Sequence, residues 1–483
     1  MNFRFLIKSL SVLMAVIAAF MIIPAGIAVY YGEKESAFWF ALVSLTTLLL
    51  TALTLFAGRN WSFPRLSTRE SFLMVTLGWF FSSALGSLPF YFSGVIPSFC
   101  DAFFETASGF STTGASILTS IETLPYSMLF WRSLTHWLGG MGIVVLTVAI
   151  LPMLGVGAIQ LFNAEAPGPA VDKITPRIAE TAKVLWYIYI GMTLVMVILL
   201  RIGGMNYFDA FTHTFGTLAT GGFSTKNTSV AFYNSAYIDG IITIFMILAG
   251  MNFTFHYRLL TGRTKNIFNN IEIKTYLAII AVTTLIATLN LYKTAYQTIS
   301  ESFRFASFQV ASIITTTGFS TADYEKWPYL SQFIVFLLMF IGACSGSTGG
   351  GVKVIRFATM FKLGLNEMKY LLHPKAVLPL WIDGKVVKKD IVYSIGSFIF
   401  LYAFTVLATT SVCAASGADI LTSFTASLSA VGNIGPGFGS VGPVENYAFF
   451  PDYVKWTLAF AMIVGRLEIF TVLILFTKSF WTK

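Results

Sequence analysis

Four stretches of the 483-residue sequence align without gaps: AFFETASGFSTTG (102–114), AFTHTFGTLATGG (210–222), ASFQVASIITTTG (306–318) and SFTASLSAVGNIG (423–435). Each closes on a glycine, so the terminal turns are Thr112, Thr113 and Gly114; Thr220, Gly221 and Gly222; Thr316, Thr317 and Gly318; and Asn433, Ile434 and Gly435. None of these turns contains Asp, Glu, Lys or Arg, so side-chain charge is not what they offer a ligand. Backbone carbonyl oxygens remain. Rings of carbonyls replace the hydration shell of a monovalent cation, and glycine permits backbone conformations that aim those oxygens inward.

A second cluster, GACSGSTGGGVKVIRF (342–357), packs Gly346, Gly349, Gly350 and Gly351 around Ser345, Ser347 and Thr348, directly after an apolar run. A phosphate loop needs Gly, four residues, Gly, then Lys and Ser or Thr. Gly346 and Gly351 have the spacing, but Val352 and Lys353 follow, and no strand leads in. A nucleophilic Ser345 needs an adjacent base, and no histidine stands near it in the sequence. An intramembrane serine hydrolase is thus the alternative of another class. The remaining reading is a membrane helix opened on purpose.

Depth supports it, because a glycine recurs at a comparable distance after each turn: Gly140, Gly250, Gly346 and Gly465. In the last case Arg466 follows at once, and an arginine within a span is costly and normally faces the interior or water. Residues 345–351 are expected to form a flexible loop across an axis, with Arg466 as an electrostatic barrier beside it. Together they make a gate. The plainer reading of Arg466 is a structural ion pair with another part of the chain; Glu468, two residues on, points to a different face.

The elements that must carry these residues are membrane helices. The chain is 56% hydrophobic and 11% charged, against about a quarter charged in soluble proteins. Ten candidate spans run near 5–31, 37–58, 71–93, 128–155, 183–203, 237–260, 274–296, 329–363, 390–415 and 453–477. The first follows Arg4 and Lys8 like a secretion signal, but its long apolar core, Pro24 and lack of a small-residue cleavage pattern make it a retained helix. Lys and Arg concentrate in alternate loops, from Arg59, Arg65 and Arg69 to Lys385, Lys388 and Lys389, which places those loops and both termini in the cytoplasm. The formal charge of +9 therefore reflects topology, and nucleic acid is not expected as a partner. Cys100, Cys344 and Cys413, and His136, His213, His256 and His373, show no metal-ligand or disulfide spacing.

Each aligned stretch lies between two spans and is too short and polar to cross. The expected fold is all-α and integral to the membrane: four tandem units of helix, re-entrant loop and helix around a pseudo-fourfold pore, plus two N-terminal transmembrane helices. Irregular backbone at membrane depth survives where protein buries it or where it lines a watery cavity, and four such turns bury one another around a shared axis. The division is 1–70 for the addition, then 71–160, 161–262, 263–375 and 376–483 for the units. An ion-coupled symporter is the rival within transport, but coupled carriers usually use inverted repeats, whereas these share one orientation.

The whole set of motifs, including FFETASGFSTTGAS, WLGGMGIVVLTVAILPMLGVG, EAPGP, PRIAETAK, TTTGFST, GACSGSTGGGVKVIR, GNIGPGFG and GRLEIFTVLILF, resembles the Trk, Ktr and HKT superfamily of potassium transporters. It is most similar to the TrkH-type bacterial pore subunits, since two helices precede the first unit. The resemblance implies potassium uptake through a filter with one family glycine per unit, at Gly114, Gly222, Gly318 and Gly435, and a gate at the 345–351 loop and Arg466. It implies a bacterial inner membrane, a homodimer, and cytosolic TrkA-type regulatory subunits. Potassium is then the transported ion, any nucleotide sits on the partner, and this chain holds no organic cofactor and is not an enzyme. The fourth turn, with Asn433 and Ile434 in place of paired threonines, departs most from the pattern.

Overall fold

In the computed structural model, which describes residues 3–59, 67–142, 178–262 and 270–482, nearly all regular structure is helical. Phe3–Tyr31 and Lys34–Ala57 form a hairpin held by apolar contact and by hydroxyls that reach across it. Ser44 Oγ donates to the Ala18 carbonyl at 2.7 Å and Thr51 Oγ1 to that of Ser11 at 3.0 Å. The hairpin leans on Thr68–Phe92 and Tyr126–Gly140.

From there one motif recurs four times. An entry helix (Thr68–Phe92, Ile178–Ile202, Ile271–Leu291, Lys389–Ala414) leads into a half-helix (Phe99–Phe110, Tyr207–Leu218, Ile299–Ile314, Ile420–Gly432), a glycine-closed turn and an exit helix. A half-helix of 12 residues rises about 18 Å at 1.5 Å per residue, little more than half of the roughly 30 Å hydrocarbon core. Its start is written in the sequence. Ser98, Asn206, Thr298 and Asp419 each accept a backbone N–H three residues on, from Asp101, Asp209, Glu301 and Thr422. Its end comes when Thr112, Thr220, Thr316 and Asn433 turn to φ of 56°, 54°, 57° and 53°, a left-handed backbone that cannot continue the helix.

The Asp419 cap makes a testable case outside the membrane. Hydrogen bonds from the Thr422 hydroxyl and N–H hold its carboxyl below the usual range. Asp419→Ala is expected to cost about 1 kcal/mol. Because the folded-state pKa is depressed, that contribution is full above the unfolded value and is lost as pH falls through the folded one. Thermal unfolding of the two chains in detergent should therefore differ near neutrality and converge in acid.

The exit helices differ from the expected continuous spans. The second, Ala236–Ala249, bends by 99° into Phe253–Leu260, and the fourth, Asp452–Arg466, by 112° into Phe470–Phe476. The third, Tyr329–Leu338, opens over 339–353 before Val354–Leu372 resumes, a wider opening than 345–351. The first stops at Gly140, and the rest of the 128–155 span lies outside the described residues. Six helices are long and apolar enough to cross a bilayer, or eight with the two bent pairs, among the described residues. Close packing accounts for the breaks. A methyl on Gly139 would strike the Phe110 carbonyl, and one on Gly465 the Val431 carbonyl. The exit helices thus press bare backbone against the ends of the half-helices, and glycine is where helices bend when that contact demands it.

Candidate functional site

The four turns meet as a closed ring. Gly114, Gly222, Gly318 and Gly435 all have positive φ, at 83°, 79°, 81° and 102°. A Cβ on Gly114 would run into the Gly221 carbonyl oxygen, one on Gly222 into that of Thr317, one on Gly318 into that of Ile434, and one on Gly435 would lie 2.8 Å from that of Thr113. Each unit therefore abuts the next, and the fourth returns to the first. The same contacts define a layer of four carbonyl oxygens, from Thr113, Gly221, Thr317 and Ile434, one at each seam. Half-helix C-termini converge just behind it, and their carbonyl ends add negative potential favourable to a cation.

The glycine-rich segment reaches this ring directly. Gly350 N–H donates to Thr316 Oγ1 at 2.7 Å. The segment is fastened on its other sides as well. Cys344 N–H donates to the Gly250 carbonyl at 2.9 Å and Phe253 N–H to that of Gly346 at 3.0 Å, while Ser345 N–H meets the Glu272 carboxylate at 2.6 Å. Lys353, buried, donates to the Gly349 and Gly350 carbonyls.

Arg466 closes the arrangement. Its guanidinium donates to the Thr348 carbonyl at 2.6 Å, the Gly139 and Gly140 carbonyls at 2.8 and 3.2 Å, and Thr112 Oγ1 at 3.1 Å. One side chain thus joins the opened third exit helix, the end of the first, and the first turn. Glu468 pairs instead with Arg356. Turns and loop, read from the sequence as separate features at different depths, form one continuous site.

A family model described as TrkH, cation transport protein, matches residues 37–483. The chain is 38% identical to the Trk system potassium uptake protein TrkH of Escherichia coli K12 over the full length of both. It is 34% identical to TrkG of the same strain over 95% of each. The crystal structure of the potassium transporter TrkH from Vibrio parahaemolyticus superposes with a TM-score of 0.89 at 36% identity, again over the whole of both chains.

The chain belongs to the TrkH family.

As a TrkH-family cation transporter it is a multi-pass membrane protein and not an enzyme, and the hydrolase alternative built on Ser345 falls away. Within that frame the ring has supports that sequence reading missed. Glu105, buried on the first half-helix, accepts from Ser116 Oγ at 2.9 Å and Ile117 N–H at 3.0 Å, just past the turn. In the aligned column stand His213, bonded to Ser224 Oγ at 2.9 Å, and Gln309, bonded to Ser320 Oγ at 3.3 Å. A polar residue at one column with a serine eleven positions later is the signal that would have found them. Arg132 answers Glu105 at 2.8 Å and donates to the Ser224 carbonyl at 3.2 Å, tying the first unit to the second. Removing one partner strands a buried charge, so Arg132→Ala is expected to cost about 3–5 kcal/mol. The measurement is its melting temperature in detergent beside the parent.

The fourth turn is indeed different. Ser429 Oγ and Tyr447 Oη donate to the Gly435 carbonyl at 2.7 and 2.8 Å. That oxygen is thus bonded to the wall behind the turn. Asn433 donates to Thr113 Oγ1 at 3.0 Å and to the Met462 carbonyl at 2.9 Å, so its amide is a brace. Beside the loop a cavity of about 180 Å³, bordered by Trp79, Leu185, Phe253, Lys353 and Arg466, has room for several waters.

Proposed function

We infer that the chain is the potassium-conducting pore of a Trk-type uptake system, with the four turns as its selectivity filter. The residues assigned are Thr112 to Gly114, Thr220 to Gly222, Thr316 to Gly318, and Asn433 to Gly435. The layer of Thr113, Gly221, Thr317 and Ile434 oxygens carries the reading, because neutral carbonyls suit a monovalent cation that must shed water and leave again. Residues 345–351 and Arg466 are its gate. Contacts in the ring run first to second to third to fourth, so the first and third units are not neighbours. Arg466, on the fourth unit, donates to both the first and the third, which supports its assignment as a barrier beside the glycine-rich loop.

The same reading places the chain in a bacterial inner membrane with both termini cytoplasmic, and sets unit boundaries after residues 70, 160, 262 and 375. It makes the protein a homodimer whose basic loops dock TrkA-type subunits, which carry the regulatory nucleotide. Passive conduction is favoured over ion-coupled symport, since the four units repeat in one orientation rather than inverted. The deciding experiment is flux into liposomes bearing the purified chain, with potassium and sodium as alternative cations. Selective potassium entry supports filter and pore together, and equal entry of both ions ends the filter assignment.

A further inference from the structure

The second turn departs from the first and third at Gly221. The first and third turns carry Thr113 and Thr317 there, whose hydroxyls bond Ser111 Oγ and Thr315 Oγ1, both at 2.7 Å. The second turn has Gly221, and Ala219 two residues earlier, so both hydroxyls are missing. Two consecutive glycines in a turn bring the largest backbone freedom to be lost on folding. Yet Gly221 contributes one of the four oxygens of the layer.

The space behind Gly221 is filled from another unit. A Cβ built there would lie 2.5 Å from Cγ and Nδ1 of His136 and 2.7 Å from its Cδ2, so the imidazole stands where a threonine side chain would stand. His136 belongs to the exit helix Tyr126–Gly140 of the first unit and is fully buried. Its Nδ1 meets the Gly109 carbonyl at 2.8 Å; since a carbonyl only accepts, that nitrogen carries the hydrogen. The ring also lies against Phe223, the residue following Gly222, with centroids 4.1 Å apart. On the same phenyl ring rests the Arg132 guanidinium, 4.1 Å from the centroid. Nε2 has no hydrogen-bond partner among the described residues, so the ring acts chiefly through shape and through one anchored nitrogen.

We propose that His136 and Gly221 are a compensating pair: the imidazole replaces the absent threonine as the rear wall of the second turn and so is a positioning residue for potassium selectivity. The inference rests on the filter reading above. Hydroxyl pairs then stand behind the first and third turns and an imported ring behind the second, while the fourth carries Gly432 and Ile434 in the same two columns.

The test is bi-ionic potassium and sodium permeability in liposomes for Gly221→Thr, His136→Ala and the double variant, with Gly318→Ala in parallel. Overpacking against the imidazole should cut potassium conductance of Gly221→Thr about tenfold or more. His136→Ala should still conduct, with its potassium-to-sodium ratio lowered about fivefold. The double variant, in which threonine refills the vacated space, should recover conductance and ratio to within about threefold of the parent. A double variant as inactive as Gly221→Thr, a Gly221→Thr chain that conducts like the parent, or an unchanged ratio in His136→Ala would each overturn the pair. Because the double variant restores volume, it remains decisive if either single one fails to fold. Gly318→Ala separates the two levels: if it loses potassium preference while the pair fails, the filter stands and only the compensation is wrong.

Discussion

Liposomes carrying Arg466→Ala, with no partner protein added, are expected to admit potassium about ten- to a hundredfold faster than those carrying the parent chain. The guanidinium bonds the Thr348 carbonyl of the opened helix and the Gly139 and Gly140 carbonyls of the first unit, and it places a positive charge next to Thr112 of the first turn. A hydrogen bond to a charged group contributes about 1.5–3 kcal/mol, and each 1.4 kcal/mol is about tenfold in an equilibrium. If these bonds hold the pore shut, loss of one gives the lower figure and loss of two the upper. Arg466→Lys separates charge from geometry, because lysine keeps the positive charge without the planar fork that reaches several carbonyls at once. Flux midway between parent and alanine is expected. If alanine leaves the flux at the parent's level, the arginine is structural and the barrier lies elsewhere.

Gly318→Ala is expected to lower the potassium-to-sodium permeability ratio about tenfold or more. At φ 81° an L-residue costs about 1–2 kcal/mol, and the added methyl would also collide with the Ile434 oxygen and lie 2.8 Å from Pro436 Cδ. The Ile434 carbonyl is the fourth member of the layer, so it must yield if the methyl is to fit. A cation layer with three well-aimed oxygens discriminates less by size and field. Reversal potentials under bi-ionic conditions measure the ratio directly. An unaltered ratio would show that the seam between the third and fourth turns does not set selectivity.

Much of this was legible in residue types. The closing glycines end each aligned stretch, so gapless alignment finds them, whereas the capping residues Ser98, Asn206, Thr298 and Asp419 lie outside those stretches. The glycine-rich segment and Arg466 stood out because both are expensive within a membrane. Less visible were features that depend on which unit touches which. Nothing in the linear order says that Gly350 meets Thr316 or that Arg466 meets Gly139, so loop and turns read as separate layers. The helix breaks at Gly250 and Gly465 passed as continuous apolar spans, because their cause is a carbonyl or side chain of another element pressed against bare backbone. His136 stood in the sequence as one of four histidines without metal-ligand spacing, and only the structure sets its ring behind Gly221, where the first and third turns carry a threonine.

Four non-identical quadrants in one polypeptide have a consequence for how such a pore can change over generations. In a channel assembled from four copies of one short chain, any substitution at the conduction pathway is applied four times over, and its energetic effect is multiplied accordingly. Here the ring closes within a single molecule, so a change at Gly221, Asn433 or Ile434 alters one quarter of the ring and leaves the other three as they were. Duplicated units could therefore drift apart in small steps, each tolerable alone. Gly221, with the His136 ring behind it, is one quarter that already differs from the first and third.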